Sequence, residues 1–171
     1  MRSAFLFITV GILTYLSICV LLYFSQRNLM YRPSLGKISP SDFGLPEMKP
    51  VSFKTEDGVL LLAWYKPPDN KKDLTLVYLH GNAGHIGHRS SKVRPYIEQG
   101  YGVLLLSYRG YGPNAGSPSE KNLYLDGKSA VQFLNDENIP SSKVVLYGES
   151  LGSGIAVELA QYSQFAALIL E

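Results

Sequence analysis

The residues best suited to chemistry are Gly148-Glu149-Ser150-Leu151-Gly152, a G-x-S-x-G match. A serine hydroxyl is a weak nucleophile, so it must be held exposed, within reach of a base and of an oxyanion site. A sharp strand-to-helix turn does this by pushing the side chain out of a tight backbone bend. Glycines two before and two after the serine, Gly148 and Gly152, leave room where strand and helix nearly touch. The flanks supply both elements. Val144, Val145, Leu146 and Tyr147 read as a strand, and Leu151, Ile155, Ala156, Leu159 and Ala160 as the apolar positions of a helix. A Gly/Ser-rich connecting loop is the bland alternative. The strand, turn and helix context favours acyl chemistry at Ser150.

A second stretch, residues 73–89, carries a partner feature. Leu74 to Leu79 reads as a buried strand running directly into His80-Gly81-Asn82-Ala83-Gly84, followed by a helix over about 87–98. Small residues after a strand let backbone approach a ligand, and free N–H groups there can stabilise a developing oxyanion. An ordinary strand–helix turn has the same composition, and the serine turn downstream tips the balance. His80, His85 and His88 lie close together without acidic neighbours, which reads as loop histidines rather than a metal site. The lone Cys19 excludes an intramolecular disulfide and a Cys/His metal cluster. No cofactor is expected.

These motifs need a scaffold. Residues 4–24 carry no charge, and as a helix they would extend roughly 31 Å, enough to cross a lipid bilayer. The run is long for a cleaved signal and lacks an A-x-A site, and Ile18 spoils a lipoprotein pattern at Cys19. An uncleaved single-pass membrane anchor is the expectation. The flanking basic residues, Arg2 against Arg27, Arg32 and Lys37, leave the side of the membrane undecided. Residues 31–50, with four prolines and two glycines, read as a connector. Two β-rich runs, 51–55 and 59–67, around Glu56-Asp57-Gly58 read as a hairpin. Residues 103–108 form another buried strand. Ser117-Pro118-Ser119-Glu120 reads as a capping box with Ser117 at the N-cap, opening a helix to about Asn135 with an inner stripe of Leu123, Ala130, Val131 and Leu134. Residues 166–171 are a last apolar strand. The organisation is therefore an anchor over 1–30, a connector over 31–50 and an α/β domain over 51–171. A formal charge of +2 with scattered basic residues gives no footprint for nucleic acid.

HGNAG at 80–84, SYRGYG through SPSE at 107–120 and GESLG at 148–152 resemble, in that order, the α/β-hydrolase superfamily. They look most like its membrane-anchored branch of serine aminopeptidase-like and acyl-protein-thioesterase-like proteins. The resemblance covers about residues 50–171. It implies the front part of an α/β-hydrolase fold, with a mostly parallel sheet, helices on both faces and an antiparallel leading hairpin. It also implies that Ser150 is the nucleophile and that the N–H groups of Asn82 and Leu151 form the oxyanion hole. His80, Gly81, Gly148 and Gly152 would support them, and the substrate would be a small acyl compound or peptide. Arg109, in the Arg-Gly-Tyr-Gly loop, reads as structural. Relatives often carry Asp at Ser107 and Ser at Asn114. The family order of Ser, acid, His places both partners beyond the elbow. Only 21 residues follow Ser150, and none is His. Glu171 is a candidate acid. The expectation is a C-terminally truncated copy. It is either a serine hydrolase represented by its N-terminal part or a non-catalytic membrane protein acting in binding or assembly. A second chain supplying acid and His would reconcile the two.

Overall fold

A computed structural model describes residues 2–69 and 74–171. The chain divides into a unit ending at Arg32 and a unit from Pro33 to Glu171. The first unit is one helix, α1 (Arg2–Met30), with no buried residue, long and apolar enough to cross a membrane. It continues past the uncharged run through Ser25, Gln26, Arg27 and Asn28.

The second unit is built on a six-stranded sheet. Its strands are β1 (Lys49–Lys54), β2 (Leu60–Lys66), β3 (Thr75–Leu79), β4 (Gly102–Leu106), β5 (Val144–Gly148) and β6 (Ala167–Leu170). The helices between them are α2 (Ser90–Glu98), α3 (Glu120–Asp136) and α4 (Leu151–Ala160). The spatial order is β1-β2-β4-β3-β5-β6. β1, β2 and β4 pair antiparallel in succession, whereas β4, β3, β5 and β6 are parallel. Parallel neighbours need a crossover, and the helices supply it. The strand period of two sorts the core. Leu76, Tyr78, Val103 and Leu105 pack with Val93 and Ile97 of α2. The alternate residues Val77, Leu79, Leu104, Leu106 and Leu146 are also fully buried, on the opposite face.

Several local details differ from the sequence reading. The connector carries core residues. Leu45 and Met48 are buried in the same cluster as Trp64 and Ile86. β1 begins at Lys49 and includes Pro50, which an edge strand tolerates. The helix expected from residue 87 opens with a 3₁₀ turn, Ile86–Arg89, before α2. The N-cap of α3 is Ser119, not Ser117: its hydroxyl accepts from the Asn122 N–H at 3.3 Å, and Glu120 is the first helical residue. The reason is packing. Pro118 lies against Gly110, where a Cβ would come within 2.8 Å of the proline Cδ, so it closes the preceding loop instead of opening the helix.

β3 sits at the middle of the sheet, and its last residue, Leu79, is in register with Gly148 of β5. The segments 80–84 and 149–152 therefore leave the same end of adjacent strands. That is the carboxyl edge where open α/β sheets bind ligands. β6 pairs with β5 only, and its Leu168, Ile169 and Leu170 are exposed.

Candidate active site at the carboxyl ends of the central strands

Ser150 sits at φ 50°, ψ −110°, one of two non-glycine residues with positive φ among those described. L-residues avoid this region, so the turn is held by its surroundings. Glu149 N–H donates to the Leu79 carbonyl at 2.9 Å, and Ser150 N–H donates to the Glu171 carbonyl at 2.8 Å. The two flanking glycines are required sterically. A Cβ on Gly152 would run into the Leu79 carbonyl, and one on Gly148 would sit 2.7 Å from the Gly152 oxygen. Strand and helix thus cross in backbone contact, which projects Ser150 from the apex. α4 begins at Leu151, so the Leu151 N–H lies in a first turn, where the helix itself offers its N–H groups no partner.

The facing loop is braced from below. The His80 ring is fully buried, and its Nδ1 lies 2.7 Å from the Gly81 oxygen. A carbonyl only accepts, so Nδ1 carries the proton. Burial drops the imidazole to about 3, which keeps the ring neutral. Its Nε2 has no hydrogen-bond partner. Peptide planarity makes the Asn82 N–H antiparallel to the Gly81 carbonyl, so the His80 bond also sets the direction of that N–H. Tyr108 donates its hydroxyl to the His80 carbonyl at 3.0 Å, and Tyr111 donates to the Asn82 carbonyl at 2.8 Å. His80 packs on both tyrosines, with ring centroids 4.1 and 5.0 Å away. His85 and His88 stack on each other at 3.9 Å and against Phe43, and His85 Nδ1 accepts from the Gly87 N–H.

Both carboxylates near the turn are already engaged. Arg89 donates Nε to Glu149 Oε2 and Nη2 to Oε1, each at 3.0 Å, and Tyr78 donates to Oε2 at 2.8 Å. Burial pulls the Glu149 carboxyl upward, but the Arg89 and Tyr78 bonds outweigh it and hold it below its ordinary value. Glu171 takes Lys92 Nζ at 2.6 Å and the Tyr147 hydroxyl at 2.7 Å, which lower its carboxyl. Its side chain is committed to these partners rather than to a histidine. The Tyr78 and Tyr147 rings stack at 4.8 Å, linking the two carboxylate sites.

Arg109 is structural in this fold. It is 3% exposed and bonds the fully buried Asp126 and the turn residue Asp57, with Nε to Asp126 at 2.7 Å and Nη1 to Asp57 at 2.6 Å. Hydrogen bonds from Arg109, then from Thr55, hold the Asp57 carboxyl well below the usual carboxylate range. Asn114 ties the same loop to β2, accepting from the Leu62 N–H at 2.8 Å and donating to the Ser107 carbonyl at 2.7 Å.

The structure therefore places Gly148 at the end of β5, Ser150, Leu151 and Gly152 just past it, and His80, Gly81 and Asn82 just past the adjacent β3, with Gly152 against the His80 carbonyl and Gly81 against Glu149. Sequence reading missed Arg89, Glu149, Tyr108, Tyr111, Asp57 and Asp126. Only Asp126 left a trace: it falls on the inner stripe of α3, between Leu123 and Ala130, where a lone carboxylate demands a buried partner. Among the described residues no group of three or more His, Cys, Asp or Glu side chains is gathered as a metal site would need.

A parallel sheet of this order, an antiparallel leading pair and a glycine-flanked serine turn after β5 define an α/β hydrolase. Residues 70–171 match the family described as serine aminopeptidase, S33, and the chain belongs to it. It is 35% identical over 164 residues to protein bem46 of Schizosaccharomyces pombe, covering 88% of this chain and 54% of bem46. It is also 35% identical over 155 residues to an uncharacterized membrane protein, YNL320W, of Saccharomyces cerevisiae, covering 86% and 54% of the two chains. The esterase Pf2001 of Pyrococcus furiosus superposes with a TM-score of 0.62 at 27% identity, covering 81% of this chain and 56% of the esterase. The chain spans about half the length of the curated relatives it matches.

Proposed function

We propose that this chain carries the nucleophile and the oxyanion hole of a membrane-anchored serine hydrolase. In this reading the Ser150 Oγ attacks the acyl carbon of an ester, thioester or peptide, and the N–H groups of Leu151 and Asn82 receive the developing oxyanion. The acyl-serine then passes to water. Helix α1 holds the unit at a bilayer. The observation that carries the reading is the positive φ of Ser150, maintained where Gly148 and Gly152 let strand and helix cross. Backbone strain of this kind clusters at active sites, and that supports the reading.

The base is the open half of the chemistry. A general base works best with a pKa near the operating pH. His80, held at about 3 by burial and bonded to Gly81, is a positioning group instead. The histidine and acid are proposed to come from outside these 171 residues. Without them, catalysis from the oxyanion hole and binding alone falls by several orders of magnitude.

The test is labelling of the full chain in detergent with a fluorophosphonate probe. Slow modification of wild type, lost in Ser150→Ala, is expected. No modification above the Ser150→Ala background, with native circular dichroism, would overturn the enzyme reading for this chain. It would leave a non-catalytic role in binding or assembly, which the engagement of both nearby carboxylates with Arg89 and Lys92 favours.

A further inference from the structure

We propose that Arg89 is a positioning residue that locks the 80–84 loop onto the Ser150 turn and so fixes the spacing of the two oxyanion donors. This rests on the reading of Asn82 and Leu151 as those donors. The two N–H groups belong to segments far apart in the chain. β3 and β5 align only the strand ends, and Asn82 and Leu151 both lie past them, Leu151 as the first residue of α4. An oxyanion hole needs both donors within about 2.7–3.1 Å of one oxygen. A shift of about 1 Å between the segments would lose one of them.

The Arg89 guanidinium bridges this gap with three N–H groups. Nη1 donates to the Ala83 carbonyl at 2.7 Å, inside the loop. Nε and Nη2 form a fork onto the two oxygens of Glu149, the residue immediately before Ser150. Glu149 is itself pinned through its N–H to the Leu79 carbonyl and through its carboxylate to Tyr78. The loop runs directly over this pair: a Cβ on Gly81 would lie 3.2 Å from Glu149 Oε1 and 3.4 Å from Arg89 Nη2. Arg89 and Glu149 side chains are only 11% and 18% exposed, so water competes weakly for the fork. The geometry needs a planar group donating in two directions at once. An ammonium group cannot reproduce the fork.

The experiment uses the full chain in detergent, as wild type, Arg89→Met, Arg89→Lys and Glu149→Gln. Fluorophosphonate modification of Ser150 is resolved into a saturating rate, kinact, and an apparent affinity, KI. Backbone hydrogen exchange of peptides spanning residues 80–86 and 144–148 is followed in parallel. Arg89→Met is expected to lower kinact about 10- to 100-fold with KI within about twofold, and Arg89→Lys to recover part of the loss. Exchange should rise in 80–86 and stay unchanged in β5. Wild-type kinact in Arg89→Met would overturn the proposal, as would a loss shared equally by KI. If wild type itself is not labelled, the Ser150 reading fails and exchange decides the clamp. A rise confined to 80–86 supports it, and no rise overturns it. If Arg89→Met does not fold, Arg89→Lys and Glu149→Gln carry the same comparison with the same outcomes.

Discussion

α4 carries two glycines two residues apart, Gly152 and Gly154, and the structure assigns opposite signs to the same substitution at each. A Cβ on Gly152 would meet the Leu79 carbonyl oxygen, with its carbonyl carbon at 2.5 Å and the His80 oxygen at 3.1 Å. All three are backbone atoms of β3 and the loop it feeds, so no rotamer change relieves them. Overpacking against side chains costs about 1–3 kcal/mol, and a backbone obstacle puts Gly152→Ala at the top of that range or above. Total stability is about 5–15 kcal/mol, so a large share is lost. A Cβ on Gly154 meets nothing within 4 Å. Gly154→Ala should therefore gain about 0.8–1 kcal/mol of helix propensity and raise Tm by about 2–4 °C. The fully buried Trp64 is the only tryptophan, so its fluorescence reports the Pro33–Glu171 unit without interference from helix α1. Thermal and urea unfolding of both variants should move in opposite directions. A wild-type midpoint for Gly152→Ala, or a lowered one for Gly154→Ala, would refute the close strand–helix crossing.

Ser150→Gly should be about 1 kcal/mol more stable than Ser150→Ala, because glycine relieves the positive φ and alanine does not. Urea midpoints of the two variants check this, and equal values would remove the strain argument. Arg109→Met should cost about 3–5 kcal/mol by leaving the fully buried Asp126 unpaired, and Arg109→Met with Asp126→Asn should recover part of it; the double-mutant cycle in urea measures both. Burial lowers His80 from 6.5 to about 3 in the folded state. Its contribution to stability is therefore complete above the unfolded value of about 6.5 and declines as pH falls toward 3, by up to about 1.4 kcal/mol per pH unit. His80→Asn should flatten that part of the stability–pH curve, and parallel curves for variant and wild type would contradict the burial.

The serine turn was legible because everything that makes it is local. Two glycines bracket the serine, four apolar residues precede it and a helical apolar spacing follows. The strands are equally local, since runs such as Leu76–Leu79 and Val103–Leu106 are continuous and apolar. The α3 start shows the limit. Ser117 and Ser119 both suit an N-cap, and contact of Pro118 with Gly110 decides between them. The three histidines show it again. Their spacing said only that they were near one another, while the fold buried His80 between two tyrosines and left His88 exposed.

Composition, periodicity and the spacing of glycines pointed from the chain alone to an apolar N-terminal helix, an α/β unit and a glycine-flanked serine turn. They act within a turn or a strand, so the linear order of residues carries them. The strand order, the burial of His80 and the pairs Arg89–Glu149 and Arg109–Asp126 came only with the tertiary structure. Arg89 and Glu149 are 60 residues apart and meet because β3 and β5 are neighbours in one register. Charged side chains pair wherever folding leaves them near one another and short of water, and no local pattern encodes that address.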